Sequence, residues 1–361
     1  MMMSYPVNNS IFFNGSVDRS QAPLVPHRNA FPAAMMSLGV LMGLTHDTSL
    51  IDAHGRMWRM DHDHNLHMGI SGEAFRFMFD TAEYFSFSMS DGAMPVRDCF
   101  SAIGLSCELY ATKTVNGIDG VYTDDTEIKK LILKNLCAGF PVLLVGDRRM
   151  DRVILAIGYE EAGETLIGWT FSTGNDIPNK CFSPQDCQYI TKWYQDIGAA
   201  VLVKGKSTRP SNEQLVTICR RALERNERFL RGARNASYGL DINYYDNWIE
   251  VLKDDSFWAP TINGFPYIYP EIFDLAERRM YGAEFLKRVG YMLDTDKLLP
   301  AVDAGNEIHS LMWSVHSIIN ETEKGNNALY DRLVRKKIGE TLHKCRALDK
   351  IIADCIVEVL K

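Results

Sequence analysis

"AGFPVLLVGDRRMDRVILAIGYEEAGETLIGWTF", Ala138 to Phe171, is the stretch on which the fold turns. "FPVLLVG" reads as a short apolar strand. "DRVILAIGYEEAGETLIGWTF" alternates over two arms around Glu160–Glu164, with Ala162 and Gly163 inside the loop, and so predicts a β-hairpin. Just upstream, "TDDTEIKKLILKNLCAG" predicts an amphipathic helix. Ile128, Leu131, Ile132, Leu136 and Cys137 share one face, and Gly139 ends it. "AIGLSCELYAT" before this block and "AAVLVKG" after it read as further strands.

Outward from this block, "AFPAAMMSLGVLMGL", Ala30 to Leu44, predicts a buried helix, with Asn29 as cap, Pro32 in the first turn and an end at Gly43. A polar, His-rich turn follows at Met60–Met68. "SGEAFRFMFDTAEYF" then predicts a second helix, with Ser71 as cap and Glu73 in its first turn. "STRPSNEQ" is the linker candidate. Beyond it Ser211 and Gln214 form a capping-box signature, and the pattern is helical to the end of the sequence. The reading is therefore an α+β domain over 1–206 and an all-α bundle over 210–361, as a chain of 361 residues suggests.

Composition narrows the function. An apolar content of 46% and a charged content of 24% are those of an ordinary soluble protein. A net charge of -7 lacks the basic stripe that nucleic acid requires. No stretch has the length of a membrane span, and "MMMSYPVNNS" lacks the charge-then-apolar order of a secretory signal. Eight cysteines without a CxxC pair read as reduced thiols, and the expectation is a cytoplasmic protein.

Three groups of residues invite a chemical reading. His62, His64 and His67 with Asp61 and Asp63 fit no HxxxH or HExxH spacing, so neither a metal nor a cofactor is expected. "KGKST", Lys204 to Thr208, ends like a phosphate-binding loop, but Ala200 stands where the first glycine belongs and no helix follows directly. Cys99 has no helix start before it and reads as structural.

The order of buried helix, second helix, amphipathic helix, "AGFPVLLVG" and a hairpin carrying "GY" resembles the papain-like fold of the bacterial cysteine peptidases that process bacteriocin leaders. "GISGEAFRF", Gly69 to Phe77, and the joining of an α+β to a helical domain resemble the butirosin biosynthesis protein H family. The resemblance covers about 205 residues, and more loosely "ALERNERFLRGARNASYGLDINYYDNW". It implies a papain-like N-terminal domain and acyl transfer from a carrier protein in making a small natural product. It also implies a nucleophilic cysteine at Asn29–Phe31, a histidine six residues before Gly158, and an acid or amide near Gly168 and Trp169.

This chain has none of the three. "HRNAFPAA" holds no cysteine, the histidine position is Arg152, and Ser37 lies two turns too deep. The catalytic residues are therefore unknown. The reading is a catalytically degenerate protein that recognises an acyl or peptide-like small molecule, or its carrier protein, in biosynthesis or resistance. The alternatives are an acyltransferase or amide-forming enzyme, and a structural interaction protein; self-association is left open. The binding residues expected are Asn29, Ala30, Phe31, Ser71, Glu73, Phe75, Arg152 and Trp169, with Arg152 and the helix start forming an anion site.

Overall fold

The computed structural model describes residues 11–12, 30–42, 44, 61–76, 93–111, 121–146, 152–172, 188–191, 193, 197–231, 244–258, 269–320 and 325–361. The chain divides into two compact units, Met1–His67 with Glu83–Ser211, and Met68–Ala82 with Asn212–Lys361. The sequence reading kept 1–206 as one stretch; here Met68–Ala82 groups with the helices.

The first unit is mixed helix and largely antiparallel sheet. Its elements are β1 (Ile11–Phe12), α1 (Ala30–Leu41), α2 (Asp61–Ser71), α3 (Met94–Ala102), β2 (Leu105–Ala111), β3 (Val121–Tyr122), α4 (Asp125–Cys137), β4 (Val142–Gly146), β5 (Arg152–Glu160), β6 (Thr165–Ser172), β7 (Gln188–Thr191) and β8 (Ile197–Lys206). The strand order is β3-β2-β8-β4-β5-β6-β7, and β1 adds to β5. Only β2 and β3 pair in parallel among the described strands.

Alternation along the strands sorts the core. Val142, Leu144, Ile154, Ala156, Ala200 and Leu202 pack with Ile128, Ile132 and Leu136 of α4. The residues between them, among them Leu143, Val153, Leu155 and Val201, are buried too, because α1 lies on β5 and β6. Asp124 caps α4 by accepting the Glu127 N–H at 2.8 Å. The hairpin loop is the predicted one, Glu161–Gly163.

The His-rich segment departs from the sequence reading. The helix runs over Asp61–Ser71, where a polar turn was expected, and ends where a helix was expected to begin. Gly72 causes the reversal with φ +91°, a backbone state that disfavours side chains. The Ala74 N–H then turns back to the Met68 carbonyl at 3.0 Å. His64 and His67 are buried rather than exposed on a loop. Ser71 is the helix's last residue, and its hydroxyl accepts the Glu73 N–H at 3.4 Å, as expected of a cap; the helix expected after it lies from residue 77 on outside the described residues. The segment DHDHNLHMGIS has few apolar residues to form a stripe, which is why periodicity missed it.

The second unit holds the C-terminal end of α2 and the turn after it, with α5 (Asn212–Leu230), α6 (Tyr244–Lys253), α7 (Tyr269–Leu293), α8 (Leu299–Asn320) and α9 (Arg332–Leu360). The α7, α8 and α9 helices pack in sequence, and α5 and α6 lie on α9. The apolar stripe of α9, Ile338, Leu342, Cys345, Ile352 and Ile356, is fully buried. Among the described residues no helix is long and apolar enough to cross a membrane.

Candidate functional site

The start of α1 is where the resemblance puts a nucleophile. Ala30 and Phe31 stand there, 4% and 2% exposed, and Asn29 lies outside the described residues. Both side chains are apolar, so this turn offers neither a nucleophile nor a side-chain donor. The Ser37 hydroxyl is buried and donates to the Ala33 carbonyl at 2.8 Å, spent on its own helix.

The hairpin that α1 packs on is equally specific about what it excludes. β5 bulges between Ala156 and Gly158, which brings Gly168 of β6 close to the β5 backbone. A Cβ on Gly168 would sit 2.2 Å from the Leu155 carbonyl oxygen. No acid or amide side chain fits at that position. Trp169, opposite Leu155, is buried. Arg152 is the first residue of β5 and pairs with Ser172; its side chain lies outside the described residues, and with it the anion site.

The described thiols of this unit are Cys99, Cys107 and Cys137. Cys99, inside α3 and fully buried, has its Sγ 3.9 Å from the His67 carbonyl. Burial pushes the Cys107 thiol up to about 11, against the pull of Arg97. Cys137 Sγ meets the Tyr159 hydroxyl at 3.1 Å, and burial, with that contact, pushes the Tyr159 hydroxyl up to about 12. A reactive thiol requires the opposite, an electropositive surround that favours thiolate. Among the described residues no group of three His, Cys, Asp or Glu is placed to hold a metal.

Ser71, Glu73 and Phe75 fall in the second unit, where buried side chains converge on them. Asn226 Nδ2 donates to the Gly69 carbonyl at 3.0 Å, and the Arg225 guanidinium to the Ile70 carbonyl. Arg278 donates to the Glu73 carbonyl at 2.7 Å, pairs with the Glu73 carboxylate, and reaches Asp274 at 2.7 Å. Arg279 donates to the Ala74 carbonyl at 2.8 Å and forks onto Asp349 at 2.6 and 2.7 Å. The Tyr244 and Tyr245 hydroxyls complete the Asp349 carboxylate at 3.2 and 2.9 Å. Phe75 meets Phe285 edge to face, with ring centroids 6.5 Å apart.

The electrostatics follow from desolvation. Burial works against the charge of Arg279, but the Asp349 carboxylate more than offsets it, and the guanidinium is held above its ordinary range. Burial, then the Asp349 charge, raises both tyrosines, which therefore stay protonated. Burial likewise raises the Glu73 carboxyl, with Arg278 opposing. The cluster is built to hold backbone carbonyls.

The expected binding residues thus separate. Ala30, Phe31, Arg152 and Trp169 belong to the first unit, and Ser71, Glu73 and Phe75 to the second. Sequence reasoning missed Arg225, Asn226, Arg278, Arg279 and Asp349. The signal was available: Asp349 falls on the apolar stripe of α9, in phase with Leu342, Cys345, Ile352 and Ile356. A carboxylate in such a stripe requires a buried cation. No protein family and no curated protein matches this chain.

Proposed function

We propose that the protein is a catalytically degenerate papain-like protein of the cytoplasm that recognises an acyl or peptide-like small molecule, or its carrier protein, in natural-product biosynthesis or resistance. One observation carries the reading. A largely antiparallel sheet packs on a buried helix whose first residues, where a nucleophile would stand, are the apolar Ala30 and Phe31. The glycine required at position 168 supports it, since the third member of a triad has no place there.

The test pairs turnover with binding. The purified chain is incubated with peptides and with acyl-pantetheine thioesters, and the same thioesters are titrated by calorimetry. Saturable binding without cleavage or transfer is the expected result. Turnover abolished when iodoacetamide modifies one cysteine would overturn the reading and favour the acyltransferase. Absence of both binding and turnover would remove the acyl ligand.

A further inference from the structure

We infer that residues 69–76 are a strap whose docking and the packing of α5, α7 and α9 are a single cooperative event. Four side chains hold it, and they come as two adjacent pairs: Arg225 with Asn226 on α5, and Arg278 with Arg279 on α7. Each pair takes two successive carbonyls, those of Gly69 and Ile70 and those of Glu73 and Ala74. The first two belong to the last turn of α2, whose carbonyls have no partner within the helix. The other two follow the Gly72 reversal. Among the described residues the arginines are the donors that these two carbonyls receive.

Partial release is unfavourable on both sides. Lifting the strap takes the side-chain donors from the Ile70, Glu73 and Ala74 carbonyls and separates the buried Glu73–Arg278 pair in a desolvated setting. Arg279 binds the strap and Asp349 of α9 with one planar group, so the strap cannot leave without disturbing the α7–α9 contact. Apolar packing adds to this. The Phe75 ring lies in contact distance of Gly282, where a Cβ would be 2.9 Å away, and the Phe285 ring would clash with a Cβ on Gly69 at 2.0 Å. Short of full docking, little of this survives.

Hydrogen exchange of the full chain, read by mass spectrometry in rising sub-denaturing guanidinium, tests the inference. Peptides covering 69–76 should merge with those of α7 and α9 onto one opening isotherm. Gly69→Val should speed exchange in all three by the same factor, at least about tenfold, and leave β4, β5 and β8 unchanged. A strap that exchanges ahead of α7 and α9 overturns the proposal. So does a Gly69→Val effect confined to the strap, or a strap that follows β4 and β5 instead. Should Gly69→Val not accumulate folded, the isotherms of the unaltered chain decide alone.

Discussion

The two units differ in how much charge they bury. In the sheet unit both faces of the sheet are packed with apolar residues, and the buried Asn135 amide donates to the Phe140, Pro141 and Val203 carbonyls at 3.1–3.3 Å; one carboxylate, Asp98, is buried there among the described residues. The helical unit buries Glu73, Arg225, Arg278, Arg279, Arg335 and Asp349. Arg335 repeats the device seen around the strap. It donates to the Leu252, Leu329 and Tyr330 carbonyls at 2.9–3.0 Å, pairs with Asp255, and lies 6.0 Å from the Trp258 ring. The difference teaches where specificity comes from. Sheet strands satisfy their own backbone groups through the ladder, whereas helices that end inside a bundle must import donors for their last carbonyls. Arginine suits this because one fork can reach both a carbonyl and a carboxylate.

The comparison is tested hardest at Asp349. Asp349→Ala should cost the helical unit about 3–5 kcal/mol, since it strands Arg279 in a desolvated site. Denaturant unfolding followed by exchange in α9 measures this. Arg279→Met with Asp349→Leu should recover roughly half of the loss, because a buried pair replaced by apolar groups removes the unpaired charge. No recovery would mean the pair has a role beyond its own neutralisation.

The sheet unit should respond to volume rather than to charge. Leu144 of β4, buried between β5 and β8, belongs to the apolar cluster that includes Ile128, Ile132 and Leu136 of α4. Leu144→Ala should cost about 2–5 kcal/mol by the same unfolding assay, and the loss should appear in β4 and β5 amides. A loss shared by α9 would erase the distinction between the units. Gly168→Ala should cost less, about 1–3 kcal/mol, as the Leu155 carbonyl is pushed away and the bulge opens.

The smallest expected effect is on pH dependence. Burial raises the folded-state pKa of Glu73 above its ordinary 4.5. The folded state therefore holds that proton more tightly than the unfolded chain. Its contribution to stability is full below pH 4.5 and falls as pH rises through the raised value. Glu73→Gln should flatten this segment of the stability profile of the helical unit and leave the sheet unit's profile unchanged. A segment above pH 4.5 that is the same in the variant, with the change confined to lower pH, would show that Arg278 outweighs burial.

Much of the fold was legible in the residues because its signals are local. The α4 stripe, the hairpin with Ala162-Gly163 at its loop, and the apolar runs of β4 and β8 depend on spacing and turn chemistry within about a dozen positions. The stretch read as a linker falls between β8, which ends at Lys206, and α5, which begins at Asn212. The His-rich helix was not legible. Its polar positions give no helical stripe, and His64 and His67 are buried only because the chain around them folds.

By itself, then, the sequence determined an α+β region followed by helices, and the lack of a cysteine or histidine where the resemblance expects them. Tertiary structure alone decided that Gly69–Phe75 belongs with the helices and that Gly168 admits no side chain. It alone brought Arg278 and Arg279 to carbonyls 205 residues away in sequence. The physical reason is range. Periodicity and turn residues act between near neighbours, whereas a buried charge is tolerated only once a distant partner has been brought to it.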